Sequence, residues 1–172
     1  MRDYVIPNEN EEAFIEMAEC LGYDELVFIS NNSPKINSKS KIKVSFVKTI
    51  FKSDMSKDRN LIESKRASII YELEQDSKKD KTHYRNSGLN HVLAELMNKK
   101  KVSYGLSFNQ ILNASKKDKA RLFGRMIQNL SLCKKYKVSV TIASFARKPS
   151  EMRDFNDLTS FARTLGLNGY RP

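Results

Sequence analysis

The first third of the chain alternates between short apolar runs and one helical pattern. A strand is predicted over Asp3 to Ile6, and a helix follows that Gly22 is placed to end. Glu25 to Ser30 is a nearly continuous apolar run typical of a buried strand, and the segment 41–47 alternates apolar residues with lysine or serine. The apolar residues of the predicted helix fall at i, i+1, i+4, i+5 and i+8: Ala13, Phe14, Met17, Ala18 and Leu21.

The remainder of the chain continues this alternation. A weakly helical link around 56–65 precedes a strand, and residues 74–86 have too few apolar side chains for a core, so we predict a mobile polar surface loop there. Further strands are predicted over 67–73, 102–106 and 138–143, and further helices over 88–98, 118–136 and 154–165.

Regular alternation of strands and helices favours an α/β fold with a parallel sheet and crossover helices, either open or curled into a (β/α) barrel. The pattern contains six strands, whereas a full barrel needs eight. At 172 residues the chain is long enough for one domain, which we assign to 1–172.

The charge of the chain narrows the range of partners. The formal net charge is +11 and is spread along the whole sequence, so an extended anion such as nucleic acid is the expected partner. No apolar run suits a membrane span and the N-terminus has no secretory pattern, so we expect a cytoplasmic protein that does not bind membranes. Cys20 and Cys133 lie in helical apolar patterns and are expected to be buried, reduced thiols.

Two long segments in the second half carry a resemblance. They read "RNSGLNHVLAELMNKKKVSYGLSFNQILNAS" and "KARLFGRMIQNLSLCKKYKVSVTIASFARKPSEMRDFNDLTSFARTLGL". Both closely resemble the archaeal ribonuclease P protein component 3 family, relatives of a subunit of eukaryotic nuclear ribonuclease P, and "EEAFIEMAECLGYDELVFIS" resembles the family's first βα unit more loosely.

The resemblance implies a TIM-barrel fold and a subunit of the ribonucleoprotein that trims the 5′ leader of precursor tRNA. Two βα units that the family usually carries are missing, one between "IIYELE" and "RNSGLNH" and one after Gly166, so we expect a TIM-barrel-like fold reduced to about six parallel strands. The implied partners are the ribonuclease P RNA, ribonuclease P protein component 2 and other subunits, with precursor tRNA contacted indirectly. Catalysis would come from the RNA with its Mg²⁺, and the protein itself would hold no cofactor.

His91 lies in the first turn of the helix predicted after the polar loop. A catalytic or metal role needs companions, and the sequence offers only His83, without the His-x-His pattern of histidinol-phosphatase-type barrels. Two readings remain: a half-buried histidine bonded to a backbone group, or an RNA contact beside Arg85.

The helix predicted over 118–136 has a basic face. Arg121 and Arg125 fall near Gln128 and Leu132, where two arginines four residues apart are spaced to bind successive phosphates; the alternative is a solvated outer face. Leu132 hints at a protein contact. The opposite, buried stripe is predicted to contain Phe123, Met126, Ile127, Leu130 and Cys133.

The loop after the last strand, Ala143 to Arg153, would place cations at the carboxyl edge of the sheet. Ser144 there has no nucleophile-elbow pattern and is read as a turn hydroxyl. Lysines that end helices, including Lys100, either complement the helix dipole or bind RNA. The full set of predicted RNA-binding residues is Arg66, Arg85, His91, Lys100, Arg121, Arg125, Arg147 and Arg153.

The sequence therefore predicts a non-catalytic subunit of ribonuclease P, with no catalytic, cofactor-binding or metal-binding residues of its own. Two alternatives stay open at this point. One is a metal-dependent hydrolase of the histidinol-phosphatase barrel type, and the other is a generic RNA-binding barrel.

Overall fold

The computed structural model describes residues 1–32, 40–75 and 79–167. In these ranges the strands are β1 (Arg2–Val5), β2 (Glu25–Ile29), β3 (Lys43–Val47), β4 (Ile50–Lys52), β5 (Ile69–Tyr71), β6 (Ser103–Ser107) and β7 (Val140–Ala143). The helices are α1 (Glu11–Cys20), α2 (Asp58–Glu63), α3 (His91–Lys100), α4 (Phe108–Leu112), α5 (Lys116–Tyr136) and α6 (Phe155–Thr164).

The strands form two parallel sheets, which adjoin at two places. One sheet has the order β1-β2-β3 and the other the order β4-β5-β6-β7. A parallel bridge between Val5 and Ala146 joins β1 to the end of β7, where the amide of Ile6 donates to the Ala146 carbonyl oxygen at 2.8 Å. At the other junction, only two residues separate β3 from β4. This arrangement confirms the predicted α/β, TIM-barrel-like fold.

The predicted number of strands is too low by one in the described part of the chain. The additional strand is β4, which is three residues long and follows β3 directly. Length alone does not explain this, because β5 is equally short and its segment was predicted as a strand, whereas β4 follows another strand after two residues. No helix intervenes to mark its start, so it merges with the preceding strand in the sequence.

The side chains enclosed by the strands form a small core of their own. Ile50, Ile69, Tyr71 and Phe145 are buried there, and the rings of Tyr71 and Phe145 stack with centroids 4.5 Å apart. Gly105 on β6 makes room for this pair, because a Cβ there would lie 2.7 Å from the Tyr71 Cβ and 3.1 Å from the Phe145 ring. Burial of such large apolar side chains contributes about 1.5–3 kcal/mol each.

Two outer cores lie between the strands and the helices. Leu26 and Phe28 of β2 pack with Phe14 of α1, and the larger core beneath the later helices includes Met97 and Leu106.

Each helix that the sequence predicts is present in the structure. The prediction that both cysteines are buried is wrong for Cys20, which is exposed near the end of α1, and confirmed for Cys133. Among the described residues, no helix is long and apolar enough to cross a membrane.

The polar segment predicted as a surface loop over 74–86 starts in the interior. Leu73–Gln75 forms a single 3₁₀ turn in which Glu74 is buried, so the prediction is wrong at this residue. Most residues over 79–85 are exposed, as predicted, and 76–78 lie outside the described residues. The mobility of the segment stays a prediction.

Candidate nucleic-acid interface

Parallel strands place the loops that follow them at one end of the barrel, which is where this architecture carries its ligand sites. A cavity of about 520 Å³ lies there, among the last residue of β4 and residues that follow β5, β6 and β7. We call it the strand-end cavity. Its lining includes Lys52, Glu72, Glu74, Gln110, Arg121 and Arg147.

Two buried carboxyl groups, those of Glu72 and Glu74, line the wall of the strand-end cavity. The Glu72 carboxylate pairs with the Lys52 ammonium at 3.0 Å. Glu74 is fully buried, and its Oε1 accepts hydrogen bonds from the Tyr104 hydroxyl and from the Asn129 amide at 2.6 Å. Burial raises the pKa of Glu74 to about 7, although the two hydrogen bonds oppose the rise. The wall therefore holds one acid that is paired with a lysine and one buried acid whose pKa is raised to about 7.

A second depression, of about 640 Å³, lies beside α3 and α5. We call it the α3–α5 groove, and its lining includes Tyr84, Arg85, His91, Leu132, Lys135 and Tyr136. The Lys135 ammonium lies 5.3 Å from the centroid of the Tyr136 ring. The groove thus combines the exposed Tyr84 ring and the partly buried Tyr136 ring with cations.

His91 is the first residue of α3 and is exposed at the rim of this groove. The Asn90 side chain caps the helix by accepting from the Leu93 amide at 2.9 Å, which holds the histidine at the helix start. The alternative prediction, that His91 is half-buried, is wrong, because this residue is exposed. An RNA contact by His91 stays a prediction.

Arg85 crosses the surface of α5 and remains exposed. A Cβ at Gly124 would lie 2.5 Å from the Arg85 Nε, so the glycine allows the guanidinium to lie close against the helix. Gln128 ties the same loop to α5, because its Oε1 accepts from the Arg85 amide at 3.1 Å and its Nε2 donates to the Arg85 carbonyl at 2.8 Å. These two hydrogen bonds hold the loop before α3 against one face of α5.

The prediction that Arg125 is exposed for phosphate binding is wrong. Its side chain is fully buried, with Nε 2.8 Å from Asp80 Oδ1 and Nη1 2.8 Å from the Glu74 carbonyl oxygen. Burial alone would raise the pKa of Asp80, but hydrogen bonds from Arg125 and the Asn86 amide outweigh it and lower that pKa. The predicted buried stripe of α5 is correspondingly rotated: Met126, Leu130 and Cys133 are buried, Phe123 is partly buried and Ile127 is exposed.

The other predicted residues are divided between the two ends of the barrel. Arg121 and Arg147 share the strand-end cavity, where the Arg121 guanidinium pairs with Asp118 at 2.7 Å. Arg153 donates from Nη1 to the Met152 carbonyl at 2.6 Å, and its guanidinium lies 5.6 Å from the Phe108 ring centroid. Arg66, before β5, and Lys100, at the end of α3, belong to the amino-terminal end of the strands.

Several functional candidates were not recognised from the sequence. Lys52 and Gln110 give no pattern, because only the fold brings them to one cavity. Tyr84 and Tyr136 could have been recognised as candidates for base stacking, since each stands between basic residues in "HYR" and "KKYK".

Ser144, which the sequence analysis interprets as a turn hydroxyl, donates to Asp3 Oδ2 at 2.5 Å in the interior. In the described part of the chain, no group of three or more histidine, cysteine or acidic side chains is placed to hold a metal ion.

Comparisons with known proteins identify the family. Ribonuclease P protein component 3 of Methanococcus vannielii is 28% identical over 159 residues, which cover 91% of this chain and 66% of that protein. The corresponding protein of Methanocaldococcus jannaschii is 35% identical over 81 residues, covering 47% of this chain and 35% of that protein. The matched regions thus span at most 66% of the length of these two relatives.

A solved structure supports the same fold. A chain in the cryo-EM structure of archaeal ribonuclease P with mature tRNA superposes with a TM-score of 0.72 at 23% identity, covering 94% of this chain and 82% of that one. The RNase P subunit p30 family matches residues 79–171, which is more than half of the sequence. The chain belongs to the RNase P subunit p30 family.

Proposed function

We propose that this chain is a protein subunit of ribonuclease P that binds the catalytic RNA and supports removal of the 5′ leader from precursor tRNA. Its component 3 relatives and the likeness to a chain of an archaeal ribonuclease P structure support this role. The observation on this chain that carries the proposal is the α3–α5 groove, where exposed aromatic side chains lie beside cations.

The groove has the chemistry that single-stranded RNA requires. Unpaired bases stack on aromatic rings, and basic side chains bind the phosphates between them. Tyr84 is 52% exposed, so its ring is accessible to a base, and His91 offers a second exposed ring. Arg85 and Lys135 supply positive charge at the same surface. We infer that an unpaired segment of the RNA lies along the α3–α5 groove.

The RNA and its Mg²⁺ would perform the chemistry, with the protein positioning the RNA. We propose ribonuclease P protein component 2 as the partner subunit. A groove of about 440 Å³ that includes residues of α2 and α3 supports a protein contact, because Met55 and Val92 line it and remain about half exposed. In the described ranges of the chain, no comparable observation favours a metal-dependent hydrolase.

The test compares His91→Ala and Arg85→Ala with two controls outside the groove, His83→Ala and Arg163→Ala. Both groove variants should weaken binding of the ribonuclease P RNA by roughly tenfold, since base stacking is worth about 1–3 kcal/mol. Arg85→Ala should also reduce the slope of log affinity against log salt by roughly 0.7 to 0.9, the value for one phosphate contact. His91→Ala should leave that slope nearly unchanged.

Salt-dependent binding and the melting temperature are measured on the same preparations. The controls should bind RNA as the unaltered chain does. If His91→Ala and Arg85→Ala lower the melting temperature but leave the affinity of the folded protein intact, both residues are structural and the groove is not the RNA site.

A further inference from the structure

The Gln110 side chain is buried without hydrogen-bond partners. It lies on the short helix α4, is 6% exposed, and neither its Nε2 nor its Oε1 bonds to any described group of the protein. Buried amides are ordinarily hydrogen-bonded, because leaving a donor and an acceptor unmet is costly. An unmet amide that persists in the interior is a candidate for a ligand contact.

Gln110 lines the strand-end cavity, which has suitable dimensions for a small polar molecule. Its volume of about 520 Å³ lies within the range of small-molecule sites, and it occupies the carboxyl end of the strands, where barrels bind ligands. Glu74 Oε2, in the same wall, is a second buried atom without a partner. The wall therefore offers an amide donor and an amide or carboxyl acceptor together.

The basic side chains that line the cavity differ in whether they already form an ion pair with a carboxylate. Lys52 is paired with Glu72 and Arg121 with Asp118. Arg147 is exposed, and none of the ion pairs among the described residues involves it. Its amide donates to Glu151 Oε2 at 2.9 Å, which fixes the backbone from which the side chain extends. A guanidinium placed in this way is suited to bidentate binding of a phosphate group.

We propose that the strand-end cavity binds a single nucleotide, with the phosphate on Arg147 and the polar edge of the base on Gln110. A nucleobase edge presents adjacent donors and acceptors, which an amide can meet in pairs. A free nucleoside monophosphate and an unpaired nucleotide of an RNA share this chemistry. The second source rests on the proposed function, whereas the first does not.

The first experiment titrates the full chain with adenosine, cytidine, guanosine and uridine 5′-monophosphate by calorimetry. At least one should bind, and Gln110→Leu and Arg147→Met should each weaken it by about tenfold, the loss of one hydrogen-bonded or charged contact. Arg163→Met, an exposed arginine outside the cavity, is the matched control and should leave binding unchanged.

The melting temperature of the ligand-free Gln110→Leu variant separates a binding role from a structural one. Leucine is apolar and similar in size, so it removes the unmet amide and should raise the melting temperature while nucleotide binding falls. A lower melting temperature with undiminished binding would overturn the assignment. So would the absence of binding by all four monophosphates at millimolar concentration, or full binding by Arg147→Met.

Competition with the ribonuclease P RNA distinguishes the two sources of the nucleotide. If the nucleotide belongs to the RNA, Gln110→Leu should weaken RNA binding and the monophosphate should compete with the RNA. If the ligand is a free nucleotide, Gln110→Leu should bind RNA normally while losing the monophosphate. Monophosphate binding by a chain that does not bind RNA would refute the proposed function alone, and RNA binding without any monophosphate binding would refute the cavity assignment alone.

Discussion

Two polar side chains, Glu74 and Arg125, lie in the interior where α5 meets the loop that follows β5. From the sequence, Glu74 is predicted at the start of a solvated loop and Arg125 on the exposed face of α5, but both side chains are buried. A helical wheel relates the residues of one helix to each other, but it does not show which loop covers a given face. Asp80 and Arg85 contact this face, and they lie 45 and 43 positions away in the sequence from the α5 residues that they bond to.

Glu74 gives the protein a pH-dependent stability. Burial raises its pKa to about 7 from the ordinary 4.5, so the folded protein holds this proton more tightly than the unfolded chain does. The resulting stabilisation is fully present below about pH 4.5 and is lost as the pH rises through about 7.

Glu74→Gln should remove this contribution, because the glutamine amide accepts the same hydrogen bonds and does not titrate. Between pH 4.5 and 7 the free energy of unfolding of the unaltered chain should fall by roughly 3 kcal/mol more than that of the variant, at 1.36 kcal/mol per pKa unit. Urea unfolding at several pH values measures the difference, with the exposed Glu95→Gln as control. Parallel curves for the unaltered chain and Glu74→Gln would show that Glu74 titrates normally.

At the scale of elements, the sequence predicted which segments are helical more accurately than how they are rotated. Capping residues mark helix starts locally: Asn90 caps α3 and Ser115 caps α5 through side-chain acceptors. Rotation depends on contacts distant in sequence, and Ile127, predicted as buried, is 45% exposed. Local signals also fail for β4, which only two residues separate from β3.

The start of α3 provides a test of local capping. Asn90→Ala removes the acceptor of the Leu93 amide and should lower the free energy of unfolding by about 1 kcal/mol. Asn90→Ser supplies another strong capping residue and should remain within a few tenths of a kcal/mol of the unaltered chain. Chemical denaturation measures both variants. Equal losses for alanine and serine would mean that Asn90 acts through a contact other than the cap.

The alternation of strands and helices in the sequence predicted the architecture of the whole molecule, but it did not predict the junction between the two sheets. Asp3 stands in the first strand, where it has no motif around it, and the fold brings it against Ser144 beyond the last strand. Its Oδ1 accepts from the Ser144 amide at 2.8 Å and its Oδ2 from the Ser144 hydroxyl at 2.5 Å. A contact across 141 positions is outside the reach of any local pattern.

Asp3→Ala should loosen this junction specifically. The Ser144 amide and hydroxyl would lose their acceptors in the interior, which costs about 1–3 kcal/mol for each unmet group. We expect a lower melting temperature and faster hydrogen exchange at the amides of Ser144 and Ile6, which bond across the junction. Amides within β5 and β6 should keep their relative protection.

Asp3→Asn is the matched control, because its Oδ1 still accepts from the Ser144 amide and the side chain does not titrate, while its Nδ2 group replaces the oxygen that accepts from the Ser144 hydroxyl. Burial raises the pKa of Asp3 to about 6 from the ordinary 3.8, so the stabilisation by its proton is present below about pH 4 and is lost as the pH rises through about 6. Asp3→Asn should therefore preserve slow exchange at Ser144 and Ile6 while flattening the stability curve over that range. If Asp3→Ala leaves exchange at these two amides unchanged, the junction is held by the backbone bridge at Val5 and Ala146 alone.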